Sequence, residues 1–149
     1  MKILFATDHA GFALKEVLVE YVAHVLGHEV VDMGASALVA DDDYNDYIAL
    51  AAKELSHADE DTRAIILGGS GYGEAIMANR FKGVRAVSYN TNNLELITLS
   101  REHNDANALS LGARFLTHDE AKAAVKIFLT TIFPNEERHS RRNHKLDTL

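Results

Sequence analysis

The 149-residue chain contains no cysteine, no tryptophan and one proline. Without cysteine it has no disulfide, no thiolate nucleophile and no cysteine-ligated zinc. Its formal net charge of −7 argues against a general nucleic-acid-binding protein, because contact with phosphates requires a basic face. The apolar run near the N-terminus, Ile3–Ala6, is too short for a signal peptide or a membrane span. These features predict a soluble cytoplasmic protein with one domain, residues 1–149, and neither a nucleic-acid nor a membrane partner.

Short apolar segments alternate with longer amphipathic ones. Because the apolar segments hardly alternate with polar residues, they indicate strands buried on both faces. A βαβ alternation predicts right-handed crossovers and therefore a parallel sheet. We expect an α/β fold, a three-layer α/β/α sandwich around a five-stranded, Rossmann-like parallel sheet, whose strand order these segments do not reveal. The predicted strands are Lys2–Thr7, Glu29–Met33, Ala64–Gly68, Arg85–Tyr89 and Ala108–Leu111, and the predicted helices are Ala13–Leu26, Tyr47–His57, Glu74–Phe81, Asn93–His103 and Asp119–Phe133.

A glycine-rich loop follows the third predicted strand, in the stretch AIILGGSGYGE. The spacing of Gly69, Gly71 and Gly73 fits neither the dinucleotide fingerprint nor an ATP-binding phosphate loop. Two interpretations stay open. Either the loop is a tight turn in which Glu74, opening the next helix, answers the helix dipole, or its backbone amides bind an oxyanion with Glu74 as the base beside it. In the second case Ser70 is placed to relay a proton between neighbouring oxygens.

Other polar residues near predicted strand or helix ends are further candidates. Asp8 and His9 follow the first strand, where Asp8 either caps a helix or faces a ligand. His103 ends a helix, where it either answers the helix dipole or acts as an acid or base near neutral pH. Arg114 follows the fifth strand. The basic extension after the helix-ending Pro134, residues 134–149, is either a solvated tail or a phosphate-binding cluster that contains Arg138, His139, Arg141 and Arg142.

No residue pattern predicts a metal site. The eight histidines show no HExxH-type pairing. The three consecutive aspartates Asp41, Asp42 and Asp43 are interpreted as a solvated loop and not as a ligand cluster.

Four motifs occur in order over nearly the whole chain: DHAGFALK, GGSGYGEAIMANRFKGVRA, REHNDANALSLGAR and RHSRR. Together they resemble the ribose-5-phosphate isomerase B family, which includes galactose-6-phosphate isomerase subunits. The resemblance implies an aldose–ketose isomerase that interconverts ribose 5-phosphate and ribulose 5-phosphate through an enediol, with no metal and no organic cofactor. Two alternatives remain: an isomerase of a hexose 6-phosphate or tetrose phosphate, and a non-catalytic sugar-phosphate-binding module.

The resemblance also assigns roles around the glycine loop. One branch of the family has a catalytic cysteine at the position of Gly68, whereas a second branch has GGSGxGE and uses its glutamate. This sequence resembles the second branch, so Glu74 would move the proton between C1 and C2 and Ser70 would serve the exchange between O1 and O2. The amides of the turn that contains Gly69, Gly71 and Gly73 would bind the enediolate.

The remaining roles implied by the resemblance lie outside this loop. His103 would open the sugar ring, Asp8 would bind the sugar, and Asn104 would lie beside the enediolate oxygens. The family builds its sites between two subunits, which implies a homodimer or a dimer of dimers, with a C-terminal helix that reaches a neighbouring subunit. The family's usual Asp-Tyr-Pro segment is Asp43-Tyr44-Asn45 here, which predicts a changed loop shape. The residues expected to bind the phosphate are His9, Arg114, Arg138 and Arg142.

Overall fold

The computed structural model describes all 149 residues, and its framework is a five-stranded parallel sheet. The strand order is β2-β1-β3-β5-β4. All five predicted strands are confirmed, with ends shifted by at most two residues. They are β1 Lys2–Thr7, β2 Glu29–Asp32, β3 Thr62–Gly68, β4 Ala86–Tyr89 and β5 Ala108–Gly112.

The predicted helices are also present, with differences at their ends. The first is shorter than predicted, because its last turn, Tyr21–Val25, is a π-helix. The third begins two residues before Glu74, since Gly71 adopts a left-handed conformation (φ +80°) at its N-cap. The fifth ends at Thr130, well before Pro134, because Thr131 is already extended. The α-helices are α1 Phe12–Glu20, α2 Tyr44–Leu55, α3 Tyr72–Ala78, α4 Glu95–Asn104, α5 His118–Thr130 and α6 Glu137–Asp147.

The helices cover both faces of the sheet, so the three-layer α/β/α sandwich is confirmed. One core joins the side chains of α1, α4 and α5 to one face of β1, β3 and β5. A second core joins α2 and α3 to the other face. The strands β1 and β5, which flank the central strand β3, are buried almost throughout, as their apolar sequences predict. No helix combines the length and apolar character needed to cross a bilayer.

The strand order creates a crevice beside β1. From β1 the chain turns towards β2 on one side, and it later continues from β3 towards β5 and β4 on the other side. The helices that follow β1 and β3 therefore pack on opposite faces of the sheet. Such a switch point opens a crevice at the carboxyl ends of the strands, which is the usual ligand-binding position in open parallel sheets.

Two cations fasten peripheral segments to this framework, Lys15 from a buried position and Arg85 from a half-buried one. Lys15 is fully buried, and its Nζ binds Asp32 Oδ2 at 2.5 Å and the Ala35 carbonyl at 2.9 Å, which ties α1 to the end of β2. Arg85 binds Asp105 at 2.9 Å and Asp147 at 3.1 Å. The second network holds the end of α6 against the end of α4 in the same chain.

Candidate active site

A cleft of about 460 Å³ lies at the crevice between β1 and β3. It brings together most of the residues that were predicted at the carboxyl edge of the sheet. The residues of the cleft are Asp8, His9, Ala10, Tyr44, Gly69, Ser70, Gly73, Glu74, Arg114 and Phe115.

Glu74 lies in the first turn of α3 and is only 5% exposed. Its burial raises the pKa of the carboxyl group above the ordinary value, and the charge of Asp8 raises it further, against a hydrogen bond from the backbone amide of Glu74. Asp8 is itself 6% exposed and accepts a hydrogen bond from the Ala10 amide at 2.9 Å. A carboxylate with a raised pKa is a better proton acceptor at neutral pH than a free glutamate.

Gly68 supplies the space that the Glu74 carboxylate occupies. A Cβ atom placed on Gly68 would lie 1.8 Å from Glu74 Oε1 and 2.0 Å from Cδ. A cysteine side chain at position 68 would therefore start in the volume filled by the Glu74 carboxylate. The two positions that the resemblance associates with the two branches of the family thus converge on one point of the cleft.

The turn between β3 and α3 has its carbonyl groups bonded to other parts of the chain. The Gly71 carbonyl accepts hydrogen bonds from Ser110 Oγ at 2.6 Å and Ser88 Oγ at 3.2 Å. The Ser70 carbonyl accepts one from Asn90 Nδ2 at 3.0 Å. The amides of Ser70 and Gly71 donate to no protein acceptor, so donors and not acceptors are free in this turn. Gly71 does not line the cleft; it packs against β5 and sets the direction of the turn.

Arg114 places a free cation on one wall of the cleft. Its guanidinium packs over Gly69, where an added Cβ would meet Cζ at 3.3 Å. The side chain is exposed and has no carboxylate within salt-bridge distance. A forked guanidinium without an acidic partner suits binding of a phosphate or carboxylate.

Asp42 contradicts the interpretation of the three aspartates as a solvated loop. Its side chain is 9% exposed, and Oδ1 accepts hydrogen bonds from the His9 amide at 3.0 Å and from His9 Nδ1 at 2.6 Å. Burial alone would raise the pKa of Asp42, but these bonds hold it below the ordinary value. The bond to Asp42 is also the main reason why the pKa of His9 is raised.

Asp8, His9 and Asp42 bring one potential metal-ligand atom each to within 4.8 Å of one another. The separation of 2.6 Å between His9 Nδ1 and Asp42 Oδ1 is shorter than the roughly 3 Å or more between two ligands of one ion. The group fits a hydrogen-bonded arrangement better than a metal site.

The remaining predicted site residues form a separate group at the amino edge of the sheet. His103 and Asn104 end α4, which starts near the carboxyl end of β4 and returns to the amino end of β5. The His103 ring stacks on His139 of α6 with centroids 4.3 Å apart. Between this group and Glu74 lie five to seven strand residues, or roughly 16–23 Å. One chain therefore does not bring these residues to the Glu74 cleft.

The basic residues of α6 differ in their surroundings. Arg138 and Arg142, four residues apart, are exposed and have no carboxylate partner. Arg141 binds both oxygens of Glu137, at 2.6 and 2.8 Å. His139 is 4% exposed; burial lowers its pKa, as do the charges of its neighbours His103 and Arg138. Arg138 and Arg142 are thus the available cations of this helix.

A family model described as "Ribose/Galactose Isomerase" matches residues 3–146. The chain belongs to this family. It is 41% identical to the ribose-5-phosphate isomerase B of Mycolicibacterium paratuberculosis over 143 residues, which are 95% of this chain and 87% of the relative. It is 35% identical to a putative sugar phosphate isomerase of Bacillus subtilis, over 95% of this chain and 92% of that protein.

Solved structures of the isomerase family have the same fold. Ribose-5-phosphate isomerase B from Mycoplasma genitalium, solved with bound ribulose 5-phosphate, has a TM-score of 0.92 and 33% identity, covering 99% of this chain and 94% of that chain. The Thermotoga maritima ribose 5-phosphate isomerase has a TM-score of 0.88 and 37% identity, covering 99% and 98%. The isomerase activity of the family and the α/β fold are therefore established for this chain.

Sequence reasoning missed Tyr44, which lines the cleft. Its ring packs over Gly73, where an added Cβ would lie 2.9 Å from the Tyr44 hydroxyl. In the sequence, the segment Asp43-Tyr44-Asn45 differs from the isomerase family by lacking its usual proline, and this difference gives no sign that Tyr44 lines the cleft. Asn45 lies in the first turn of α2, where a backbone N–H has no intrahelical acceptor, so this position tolerates a proline but the helix begins without one.

Proposed function

We propose that the chain interconverts ribose 5-phosphate and ribulose 5-phosphate through an enediolate, with Glu74 as the base. The observation that carries this proposal is the buried Glu74 carboxylate beside Asp8, at the switch point of the sheet. The carboxylate takes the proton from C2 of the open-chain aldose and returns it to C1, so no electron leaves the sugar. Reversal of these steps converts the ketose into the aldose.

The turn between β3 and α3 stabilises the negative charge that develops on the sugar oxygens. The free amide of Ser70, a residue of the cleft, is fixed in place because the carbonyls of Ser70 and Gly71 are bonded to Asn90, Ser88 and Ser110. Donors held in this way need no reorganisation when charge develops, and removal of one such donor typically costs 10²–10³ in rate. The Ser70 hydroxyl carries the proton between O1 and O2.

A second copy of the chain completes the site. Because the group containing His103 lies at the opposite edge of the sheet from Glu74, it can face a Glu74 cleft only if that cleft belongs to another chain. In a two-fold dimer each chain supplies both halves, one to each site. His103 then opens the sugar ring, Asn104 lies by the enediolate, and Asp8 binds the sugar. The substrate phosphate is bound by His9, Arg114, Arg138 and Arg142.

Exposed apolar residues around the cleft support this assembly. Tyr72 and Ile76, one turn apart on α3, are 57% and 61% exposed, and Phe115 at the mouth of the cleft is 63% exposed. Apolar surface next to a binding cleft is typical of an interface. A homodimer, or a dimer of dimers, would cover it.

The first test is isomerisation of ribose 5-phosphate in D₂O, with EDTA present, followed by NMR. We expect turnover with deuterium entering the carbon next to the carbonyl, and a loss of 10²–10⁴-fold in kcat for Glu74→Gln. Glu20→Gln, which changes an exposed glutamate of α1 whose only ion pair is with the exposed His24, is the control and should keep full activity. Retention of more than about a tenth of the activity in Glu74→Gln would contradict the assignment of the base.

The shared site is tested by mixing two inactive variants. Glu74→Gln and His103→Asn are expected to be inactive alone, but random exchange of subunits gives half heterodimers, each with one intact site. The mixture should regain about a quarter of wild-type activity. If both residues act in the same chain, no mixture regains activity.

A hexose 6-phosphate is the second candidate substrate, because the family description names both ribose and galactose. A panel of ribose, allose and galactose phosphates distinguishes the two substrates. Turnover of a hexose phosphate alone would keep the mechanism and change the substrate, whereas binding of all of them without turnover would favour a non-catalytic sugar-phosphate-binding module.

A further inference from the structure

Asp42, the middle residue of the Asp41–Asp43 run, is hydrogen-bonded to His9, which lies 33 residues earlier in the sequence. Asp42 Oδ1 accepts from both the backbone amide and the Nδ1 of His9, at 3.0 and 2.6 Å. Because an ionised carboxylate only accepts hydrogen bonds, the proton of this contact belongs to Nδ1 of the imidazole. The other ring nitrogen, Nε2, has no protein partner, and His9 lines the cleft.

Only acidic side chains are found among the charged groups that act most strongly on His9. Asp8 Oδ2 lies 3.8 Å from Nδ1, Asp42 is in direct contact, and Asp41 acts through space. Asp8 and Asp42 are buried to nine-tenths, while 32% of the His9 side chain is exposed. The imidazole is therefore placed between buried negative charge and the open cleft, which favours its cationic form.

Asp41 and Asp43 differ from Asp42 in this respect. Both are exposed, and neither has a hydrogen bond from its side chain to His9. Asp43 is the N-cap residue of α2, without a side-chain capping bond. Three neighbouring aspartates thus carry the same charge, but only one of them can orient the histidine.

We propose that Asp42 is a positioning residue for His9: it holds the proton on Nδ1, fixes the ring, and so presents a charged Nε2–H donor to the phosphate group of the substrate. This inference rests on the proposed function only for the identity of the substrate. Many functional histidines are oriented in this way by a carboxylate that is hydrogen-bonded to one ring nitrogen and favours the charged form of the imidazole. Asp42 does not repel the bound phosphate, because the imidazolium lies between them and offsets its charge.

The first measurement uses the wild-type protein. A ¹H–¹⁵N NMR titration of the histidine rings, with His9 assigned from the spectrum of His9→Asn, reports both the protonated nitrogen and the titration midpoint. We expect His9 to titrate above an ordinary histidine and, when neutral, to carry its proton on Nδ1. A His9 ring protonated on Nε2 in the neutral form would overturn the proposal without any substitution at position 42.

The second measurement compares Asp42→Asn with Asp41→Asn and Asp43→Asn, which remove the same charge from the same loop. Binding of inorganic phosphate is followed by calorimetry at pH 7.5. Asp42→Asn should weaken it about three- to tenfold, because the charge-assisted bond that keeps His9 cationic is lost, while the two controls should change it less than about twofold. The titration midpoint of His9 should fall in Asp42→Asn and move less in the controls.

A double variant tests whether Asp42 acts through His9. In a His9→Asn background, Asp42→Asn should weaken phosphate binding no further; an undiminished effect there, or equal effects of all three Asp→Asn variants, would overturn the proposal. Thermal unfolding of each variant identifies any that lose the fold, and the wild-type titration decides in that case. Absence of ribose 5-phosphate turnover together with the expected Asp42 effects would refute only the proposed function. Turnover that depends on Glu74 but is indifferent to Asp42 would refute only this inference.

Discussion

Gly68→Ala should inactivate the enzyme, because the added methyl group displaces Glu74, the proposed base, and supplies no base in its place. The added Cβ would start 1.8 Å from Glu74 Oε1, 2.0 Å from Cδ and 2.5 Å from Oε2, whereas ordinary van der Waals contact begins at 3.4 Å. The carboxylate must therefore retreat by roughly 1.5 Å. Because it is the far end of a flexible side chain, it can do so without disrupting the backbone.

The expected consequence is a large loss of rate with a small loss of stability. Misplacement of a reacting group by about 1 Å can cost about 10²-fold, so we expect kcat of Gly68→Ala to fall by at least that factor, which is about 2.7 kcal/mol in activation free energy. The free energy of unfolding should fall by no more than about 1–2 kcal/mol, which is the lower part of the range for overpacked sites. Binding of inorganic phosphate should be nearly unchanged, because the atoms nearest the added Cβ all belong to Glu74 and not to a cationic side chain.

Steady-state kinetics with ribose 5-phosphate, urea unfolding and phosphate calorimetry check these three statements. The double variant Gly68→Ala/Glu74→Asp is compared with Gly68→Ala, since aspartate is one methylene shorter and withdraws the carboxylate from the added methyl group. We expect the double variant to be more active than Gly68→Ala alone. If Gly68→Ala keeps half of the wild-type kcat or more, then Glu74 is not the base or its carboxylate does not lie against Gly68.

The remaining predictions concern stability. Gly71→Ala should lower the free energy of unfolding by roughly 2–4 kcal/mol, because alanine would have to adopt φ +80° and its Cβ would lie 3.0 Å from the backbone of β5. Gly83→Ala also requires a positive φ, +76°, but its Cβ would point into open space, so it should cost only about 1 kcal/mol. Urea unfolding of the two variants therefore separates backbone strain from steric collision. Lys15→Met should cost about 1–3 kcal/mol, since the Ala35 carbonyl loses its donor and the partly exposed Asp32 loses its cation, and a variant as stable as wild type would contradict that role. Because the folded state raises the pKa of Glu74, the unfolded chain loses this proton first and stability falls as pH rises above the ordinary carboxyl range. Glu74→Gln should therefore be more stable than wild type at pH 7.5, and the difference should shrink near pH 4.

The elements that could be predicted from the sequence are those governed by local pattern. Each strand is a short apolar run, and β1 and β5 are apolar because both of their faces are covered. The position of Glu74 beside a bare turn followed from its place after a strand. The same pattern accounts for the separation of His103 from Glu74, because a helix that follows one parallel strand must return to the amino end of the next.

The errors arose where contacts span long distances in the sequence. Asp42 was interpreted as solvated because three successive aspartates show no periodicity, and its partner His9 is 33 residues away. The contact between the Tyr44 ring and Gly73 was not predicted for the same reason, since α2 and α3 meet only in the folded chain. Strand order likewise depends on which helices cover which face, and nothing within a single strand specifies it.

Arg85 connects the tail of the chain to its own domain through Asp105 and Asp147. The basic face of α6 is therefore ordered within a single chain, and formation of the proposed dimer would have little of it left to immobilise. The entropic cost of subunit pairing would then be mainly that of joining two rigid bodies. A flexible tail would increase this cost, because its conformational entropy would also be lost. A chain built in this way can exchange partners without refolding, so its activity would depend on protein concentration while its secondary structure would not.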